Sequence, residues 1–271
     1  MTRITAPSLN SLNISAAIIA KDEADRIQAL LDSLSFVNEI IVVDSGSSDE
    51  TVSICERHGA RVIFHEWMGY VAQKQFALDN CSGDWIISLD ADEAVSEELR
   101  DELLRVLPSA SPEVVGFSVP RLSKYLGRWI YHGGWYPDRK IRIVRNGFAQ
   151  WSGDGIHEKL VPKGETRQLA CPIFHYVYRD ISDQVRTINS FSSVVADNFS
   201  KNSKCSAGYV ILGVFHSIGK FLECAIWKKG FLDGVPGLII AMNSSFYVFL
   251  KHAKSWEKNT GVSSPEVSTN K

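Results

Sequence analysis

A chain of 271 residues with 45% hydrophobic and 22% charged content can bury a full core, which argues against a disordered chain and fits one domain with an appendage, or two small ones. A net charge of -2 gives no global reason to expect nucleic acid. Five cysteines, with no C-x-x-C pair among them, argue against a zinc ribbon or a disulfide framework and fit a reducing, cytoplasmic compartment. The first dozen residues show neither a basic n-region nor an apolar h-region, so no export signal is visible.

The elements then follow in order. Ile14 to Ala20 is a short apolar run met at once by Lys21, Asp22 and Glu23, and Ile27, Leu30, Leu31 and Leu34 lie on one face of a helix. Glu39 to Val43 reads as a second strand ending at Asp44, followed by a turn whose Ser47 and Glu50 form a capping box. Ala60 to Phe64 is a third strand, after which Gly69 precedes a helix carrying Gln73, Lys74, Phe76 and Ala77. Trp85 to Leu89 is a fourth, buried strand that runs into Asp90, Asp92 and Glu93. Ser96 can cap the next helix, striped by Leu99, Leu103, Leu104 and Leu107.

Strands alternating with helices predict right-handed crossovers and an α/β fold with a mainly parallel sheet. Ligands of such sheets bind outside the strand C-termini, so Lys21, Asp22, Glu23, Asp44, Asp90 and Asp92 are expected along one crevice. Gathered carboxylates repel one another unless a cation, ribose hydroxyls or base amides lie among them. Two aspartates one residue apart offer hard oxygen ligands to a divalent cation, the bland alternative being a charged loop before a solvated helix. Lys74 near a helix start could meet phosphate, and Asp44 a ribose or base; as isolated residues they would read as a solvated helix face and a turn.

At these positions the chain resembles the family 2 glycosyltransferases of the GT-A fold. The resemblance rests on Ile18-Ile-Ala-Lys-Asp-Glu23, Ile41-Val-Val-Asp-Ser-Gly-Ser-Ser-Asp-Glu-Thr51 and Trp85-Ile-Ile-Ser-Leu-Asp-Ala-Asp-Glu93. More narrowly, the chain is similar to bacterial beta-1,4-glucosyltransferases that extend the lipopolysaccharide inner core. The resemblance implies that Glu23 and Asp44 contact uridine and that Lys74 approaches the diphosphate. It also implies that Asp90 and Asp92 form the D-x-D motif, the second ligating Mn2+ or Mg2+ and the first lying nearer the ribose and sugar. The first corner often carries Asn where this chain has Asp22.

Beyond residue 108 the alternation ends. Val114 to Val119 and Lys140 to Val144 read as strands extending the sheet in mixed fashion, Ile141 and Ile143 alternating with Arg142. The intervening aromatic and glycine-rich loop carries Trp135 and Tyr136, which could stack on an acceptor sugar or simply pack. Glu158, after Gly153-Asp-Gly-Ile-His157, suits the base that takes a proton from an acceptor hydroxyl, with Asp154 as rival and an ordinary surface role as the alternative. His175, among apolar residues, is the candidate further metal ligand, against the commoner satisfied core histidine. A helix with Val185, Ile188, Phe191, Val195 and Phe199 at helical spacing is expected to pack.

In the tail, Ala207 to Gly219 and Gly237 to Leu250 carry no acidic or basic side chain apart from His216. Both fall short of the roughly 20 apolar residues that cross a bilayer, so neither is expected to span. Lys220, Lys228, Lys229, Lys251, Lys254 and Lys258 with Trp227 and Trp256 suit an amphipathic element in a membrane interface; the alternative is a helical subdomain packed on the core or on a twin subunit.

The expected organisation is therefore a catalytic domain over 1–180, a helical region over 181–258 suited to membrane association, and a disordered tail over 259–271. The expected activity is metal-dependent, inverting transfer of a hexose, glucose first, from a UDP-sugar to a lipopolysaccharide inner-core heptose. Expected partners are the UDP-sugar, a lipid-linked glycan, the inner face of the inner membrane and a possible second copy, with no nucleic acid. Transfer to another glycan or to a protein, a sugar-nucleotide nucleotidyltransferase and a non-catalytic glycan- or lipid-binding module are the alternatives. The nucleotidyltransferase reading lacks its glycine-rich phosphate loop after the first strand.

Overall fold

A computed structural model describes residues 12–153, 158–200 and 207–260, the side chains of 198–200 excepted. The chain forms two compact units. The first runs through Arg121 and resumes over Arg139–His175; the second comprises Leu122–Asp138 and the chain from Tyr176 onward.

In the first unit, β1 (Ile14–Ala20), α1 (Ile27–Asp32), β2 (Glu39–Asp44), α2 (Thr51–Arg57), β3 (Arg61–Phe64), α3 (Tyr70–Asp79) and β4 (Trp85–Asp90) give the expected alternation. β5 (Glu93–Val95) and α4 (Glu97–Val106) follow, then β6 (Val114–Tyr125), whose last residues enter the second unit with β7 (Arg128–Ile130). β8 (Asp138–Arg145), β9 (Ala149–Ser152), β10 (Lys159–Pro162), β11 (Glu165–Gln168) and β12 (Ile173–His175) complete the strands described. The main sheet runs β3-β2-β1-β4-β8-β6-β12-β5, with β11 also against β6, and β9 and β10 form a separate hairpin. β3, β2, β1 and β4 are mutually parallel, while β8 pairs antiparallel to β4, so the α/β sheet is mixed and mainly parallel, as expected.

Side-chain alternation explains the layers. Ile14, Ala16, Ile18 and Ala20 point to one face, where Ile27, Leu30, Leu31 and Leu34, Ile54, Leu99 and Leu103 cover them. Ala17, Ile41 and Val43 face the other side, under Ala77 and Leu78 of α3 and under Trp151 and Leu160 of the hairpin. Because both faces are covered, the strands read as continuous apolar runs. Register sets Asp44 beside Ala20 and Asp90 beside Ile19, so the polar corners flank β1 on both sides.

Several local expectations change. The Ser47/Glu50 capping box does not form: Glu50 itself is the N-cap of α2 and makes no side-chain cap bond, because Ser47 is engaged by Asp44 and Asp22. Ser96 does cap α4, accepting from the Leu99 backbone N at 3.1 Å. Leu104 is exposed, since the inward face of α4 is Leu99 and Leu103. Arg142 is buried despite alternating with isoleucines, because its guanidinium meets the carboxylates of Asp90 and Glu93 rather than water. The described cysteines are free thiols, and burial pushes Cys55 up to about 11 and Cys81 up to about 12.

One glycine holds the strand entrances close. A Cβ on Gly83 would sit 2.7 Å from the Ser15 backbone N and Oγ, and the Gly83 N donates to that Oγ at 2.8 Å. Gly83→Ala is therefore expected to cost about 1–3 kcal/mol, read as a lowered denaturation midpoint.

In the second unit, the end of β6 and β7 carry Tyr125 and Ile130, which pack with Ile240. Three helices follow: α5 (Ile181–Ser200), α6 (Ala207–Leu222) and α7 (Gly234–Thr260), with a π turn over Glu223–Trp227 and a 3-10 turn over Gly230–Asp233 between the last two. The inward face of α5 is Gln184, Ile188, Ser192 and Ala196. Val185 and Phe191 stay exposed, so the packing stripe is rotated from the expected one. The apolar runs of the tail belong to longer helical segments, Ala207–Trp227 and Gly230–Thr260, each long and apolar enough to cross a membrane by length and composition. Shortness therefore gives no reason against spanning. Residues 259 and 260 are helical, and 261–271 lie outside the described residues.

Candidate active site

Two neighbouring corners form the first wall of the site. Asp22 takes φ +52°, a left-handed conformation that Asp and Asn tolerate better than other side-chain-bearing residues, which accounts for either standing there. Its N donates to Ser47 Oγ at 2.9 Å and its Oδ1 accepts from Ser48 N at 2.7 Å. Glu23 N donates to Thr51 Oγ1 at 2.8 Å, and Ala24 N to Asp49 Oδ2 at 3.1 Å. The Thr51 hydroxyl beside Asp49 holds that carboxyl below its usual range. Asp44 is buried at the end of β2, accepting from Gly46 N at 2.8 Å, Ser47 N at 2.9 Å and Ser47 Oγ. Its carboxylate thus builds its own turn.

Beyond β4 lies a buried charge network. Lys74, on the inward face of α3, places Nζ 2.7 Å from Asp90 Oδ1 and 3.0 Å from Glu158 Oε1, and 4.7 Å from the ring centroid of Trp151. The β9–β10 hairpin carries Glu158 to this position, just ahead of Lys159; its backbone is tied to α3 by Trp151 N donating to Gln75 Oε1 at 2.7 Å. Arg142 Nη2 lies 2.7 Å from Asp90 Oδ2 and 2.6 Å from Glu93 Oε1, and Glu93 Oε2 accepts from Asp90 N at 3.1 Å. Burial would raise the Asp90 carboxyl, but the Arg142 and Lys74 charges outweigh it and hold the group well below the usual carboxylate range. Burial likewise opposes the charge on Arg142, and Glu93 and Asp90 more than restore it.

Asp92 lies on the other branch. Arg26 donates to Glu23 Oε2 from Nε at 2.8 Å and from Nη2 at 2.5 Å, and reaches Asp92 Oδ2 with Nη1 at 3.6 Å. His175 Nε2 is also 3.6 Å from Asp92 Oδ2, because β12 runs antiparallel to β5 with His175 opposite Glu93. A carboxylate oxygen and an imidazole nitrogen at that separation fit two ligands of one divalent cation. Among the described residues no three His, Cys, Asp or Glu side chains converge as a full cage, so phosphate oxygens and water would supply the other ligands.

The structure thus gathers six of the expected residues into two ion-pair chains, one joining Lys74, Asp90 and Glu158 and the other running through Arg26 from Glu23 to Asp92 and His175. Asp44 stands one corner away, on the far side of β1. Trp135 and Tyr136 belong to the second unit, where Trp135 packs against Tyr125 and Tyr178, and Tyr136 lies edge to face with Tyr131. Asp154 and His157 lie outside the described residues. Arg26 and Arg142 escaped the sequence reading. The signal for both was available, since carboxylates buried together require cations, and Arg142 sits inside an apolar strand. A hollow of about 270 Å³ in the second unit, between Val195, Leu212 and His252, contains no carboxylate and offers nothing to this chemistry.

Comparison with known proteins bears on this arrangement. The profile of Glycosyl transferase family 2 matches residues 15–164. The chain is 30% identical over 270 residues to the lipopolysaccharide core biosynthesis glycosyltransferase LpsC of Rhizobium meliloti (strain 1021), covering 94% of this chain and 96% of that one. It is 32% identical over 259 residues to an uncharacterized glycosyltransferase of Rickettsia felis, covering 89% and 88% respectively. Among solved structures it is similar to glucosyl-3-phosphoglycerate synthase from Mycobacterium tuberculosis in complex with Mn2+, UDP and glucosyl-3-phosphoglycerate. There the identity is 25%, over 42% of this chain and 45% of that one, with a TM-score of 0.35. With the family profile covering the corners at Glu23 and Asp44 and the strand that ends at Asp90, and a relative matched along nearly its whole length, the chain belongs to glycosyl transferase family 2 and is a glycosyltransferase.

Proposed function

We propose that this glycosyltransferase moves a hexose, glucose first, from a UDP-sugar to a heptose of the lipopolysaccharide inner core, with inversion at the anomeric carbon. The observation that carries the reading is Lys74, whose single ammonium touches both Asp90 and Glu158 and so joins a donor-side carboxylate to the candidate base. Glu158 takes the proton from the acceptor hydroxyl as its oxygen attacks, and Lys74 keeps that carboxylate in place. Glu23 and Asp44 serve the uridine side, through the paired corners. Asp92 and His175 are the residues that would hold a divalent cation, with Asp90 beside them; the nitrogen donor would favour Mn2+ over Mg2+, which is held through oxygens. Such a cation would neutralise the departing diphosphate.

The name of LpsC supports a lipopolysaccharide-core acceptor, and a lipid-linked acceptor places the enzyme on the inner face of the cytoplasmic membrane. Residues 1–180 supply the nucleotide-sugar site and 181–258 the membrane side. Trp135 and Tyr136 supply flat aromatic faces suited to an acceptor sugar.

The test is transfer and donor hydrolysis with a panel of UDP- and GDP-sugars, with and without Mn2+, for the wild type and Asp92→Ala. UDP-glucose turnover that needs Mn2+ is expected. Asp92→Ala should require more than about a hundredfold higher cation, beyond the 10–100-fold that loss of outer-shell support costs. Absence of turnover with every nucleotide sugar, under every metal condition, would overturn the reading.

A further inference from the structure

α6 and α7 are built inside out. The buried positions of α6 and the turn after it are Gly213, Cys224 and Ala225, and those of α7 are Gly237, Ala241 and Ser255 with two larger side chains, Ile240 and His252. Small residues let the helices approach: a Cβ on Gly213 would stand 2.6 Å from the Cβ of His252. Ten large apolar side chains point the other way. Ile211, Phe215, Ile218, Leu222 and Ile226 form one stripe, and Phe231, Val235, Leu238, Met242 and Phe246 form another. All ten are between 38% and 69% exposed.

Ile211, Phe215, Ile218 and Leu222 repeat at i, i+4, i+7 and i+11 along α6, and Val235, Leu238, Met242 and Phe246 at i, i+3, i+7 and i+11 along α7, each one face of a helix about 16 Å long; Ile226 and Phe231 extend them into the turns between. A helix in the core of a soluble protein passes the same test of apolarity, but it would be mostly buried. Here only 22% and 28% of the most apolar 18-residue windows of the two segments are buried. Small residues between helices and large apolar ones outside is the arrangement used where the surroundings are lipid.

The corner between the helices decides how lipid is met. Gly133 N donates to the Lys228 carbonyl at 2.8 Å, His132 N to Asp233 Oδ2 at 2.8 Å, and Arg128 Nη2 to the Leu232 carbonyl at 3.1 Å. The corner is thereby tied to β7 and the loop after it, while the far half of α7 is tied to α5 by Lys254 Nζ donating to the Asn189 carbonyl at 2.6 Å. A hairpin held to folded protein at both ends cannot put one end across a bilayer. Trp227, 75% exposed, and the exposed Lys229 stand at the corner, where an interfacial ring and an ammonium meet headgroups.

We propose that the α6–α7 hairpin is an in-plane membrane-docking surface, its two stripes entering the acyl boundary of an anionic bilayer. The proposal rests on the reading of a lipid-linked acceptor and names the surface that would serve it. The experiment is flotation of the full chain with acceptor-free vesicles of phosphatidylethanolamine and phosphatidylglycerol. Wild type is expected to float. Phe215→Glu and Val235→Glu, exposed substitutions on the two stripes, should each weaken binding at least tenfold, with circular dichroism unchanged.

A second readout needs no destabilising variant: the fluorescence of Trp227, taken as the difference between wild type and Trp227→Phe, should be quenched by brominated lipid. Wild type left at the bottom of the gradient, either glutamate variant floating like wild type, or a soluble dimer that Phe215→Glu splits without any vesicle binding would overturn the proposal. Because these vesicles hold no donor or acceptor, their result is independent of whether UDP-glucose is turned over.

Discussion

Glu158→Gln is expected to lower kcat by about 10²–10⁴-fold while the donor KM stays within a factor of a few. Glutamine keeps the shape of the side chain and can still accept from Lys74 Nζ, 3.0 Å away, so the variant should fold with an unchanged melting temperature. What it lacks is the ability to take a proton. The loss should therefore appear in the chemical step, read by single-turnover kinetics with saturating donor. Asp154→Asn is the control, expected to remain within a few-fold of wild type. Near-normal turnover by Glu158→Gln together with collapse of Asp154→Asn would transfer the base role to Asp154.

Arg142→Leu is expected to destabilise the first unit by about 3–5 kcal/mol, the usual consequence of removing one partner from a buried ion pair. That corresponds to a fall of roughly 6–20 °C in melting temperature. Glu93 has a fully buried side chain and would keep Arg121 Nη1, at 3.5 Å, as its cation and the Asp90 N, at 3.1 Å, as its donor, while Asp90 would keep Lys74. Adding Glu93→Leu should recover part of the loss, since removing both partners of a buried pair is often near neutral.

The pH dependence has a definite sign. The Asp90 carboxyl is held below its usual range in the folded chain, so its stabilisation is complete above the unfolded value of about 3.9 and fades as pH falls below it. The gap between wild type and Arg142→Leu should therefore be widest near neutrality and narrow below about pH 4. A gap that stays constant from pH 7 to pH 3, followed by denaturant titration, would count against the Arg142–Asp90 attraction as its source.

These two residues also mark what the sequence could reveal. The four parallel strands were legible to within a residue at each end, because each is an apolar run closed by a polar corner, and the crossover rule then put those corners on one edge. Asp44, Asp90 and Asp92 were placed by that rule, whereas Lys74 came from its position near the start of α3 and from the family resemblance. The three-residue strands β5 and β12 did not: they pair across about eighty residues and carry no local periodicity, yet their register is what brings His175 to Asp92. Arg142 was visible as a letter but not as a partner, since the carboxylates it neutralises, Asp90 and Glu93, lie 52 and 49 residues earlier in the chain. The Ser47 capping box failed for a related reason. A serine that suits a helix start was drawn off by Asp22 and Asp44, one of them from a neighbouring loop.

That cross-loop stitching, Asp22 to Ser47 and Ser48, Glu23 to Thr51 and Ala24 to Asp49, has a consequence for protein engineering. Segments 21–25 and 44–51 behave as one inherited cassette. A graft from a relative with a different nucleotide preference should succeed when both segments travel together and yield misfolded or inactive chimeras when either is exchanged alone.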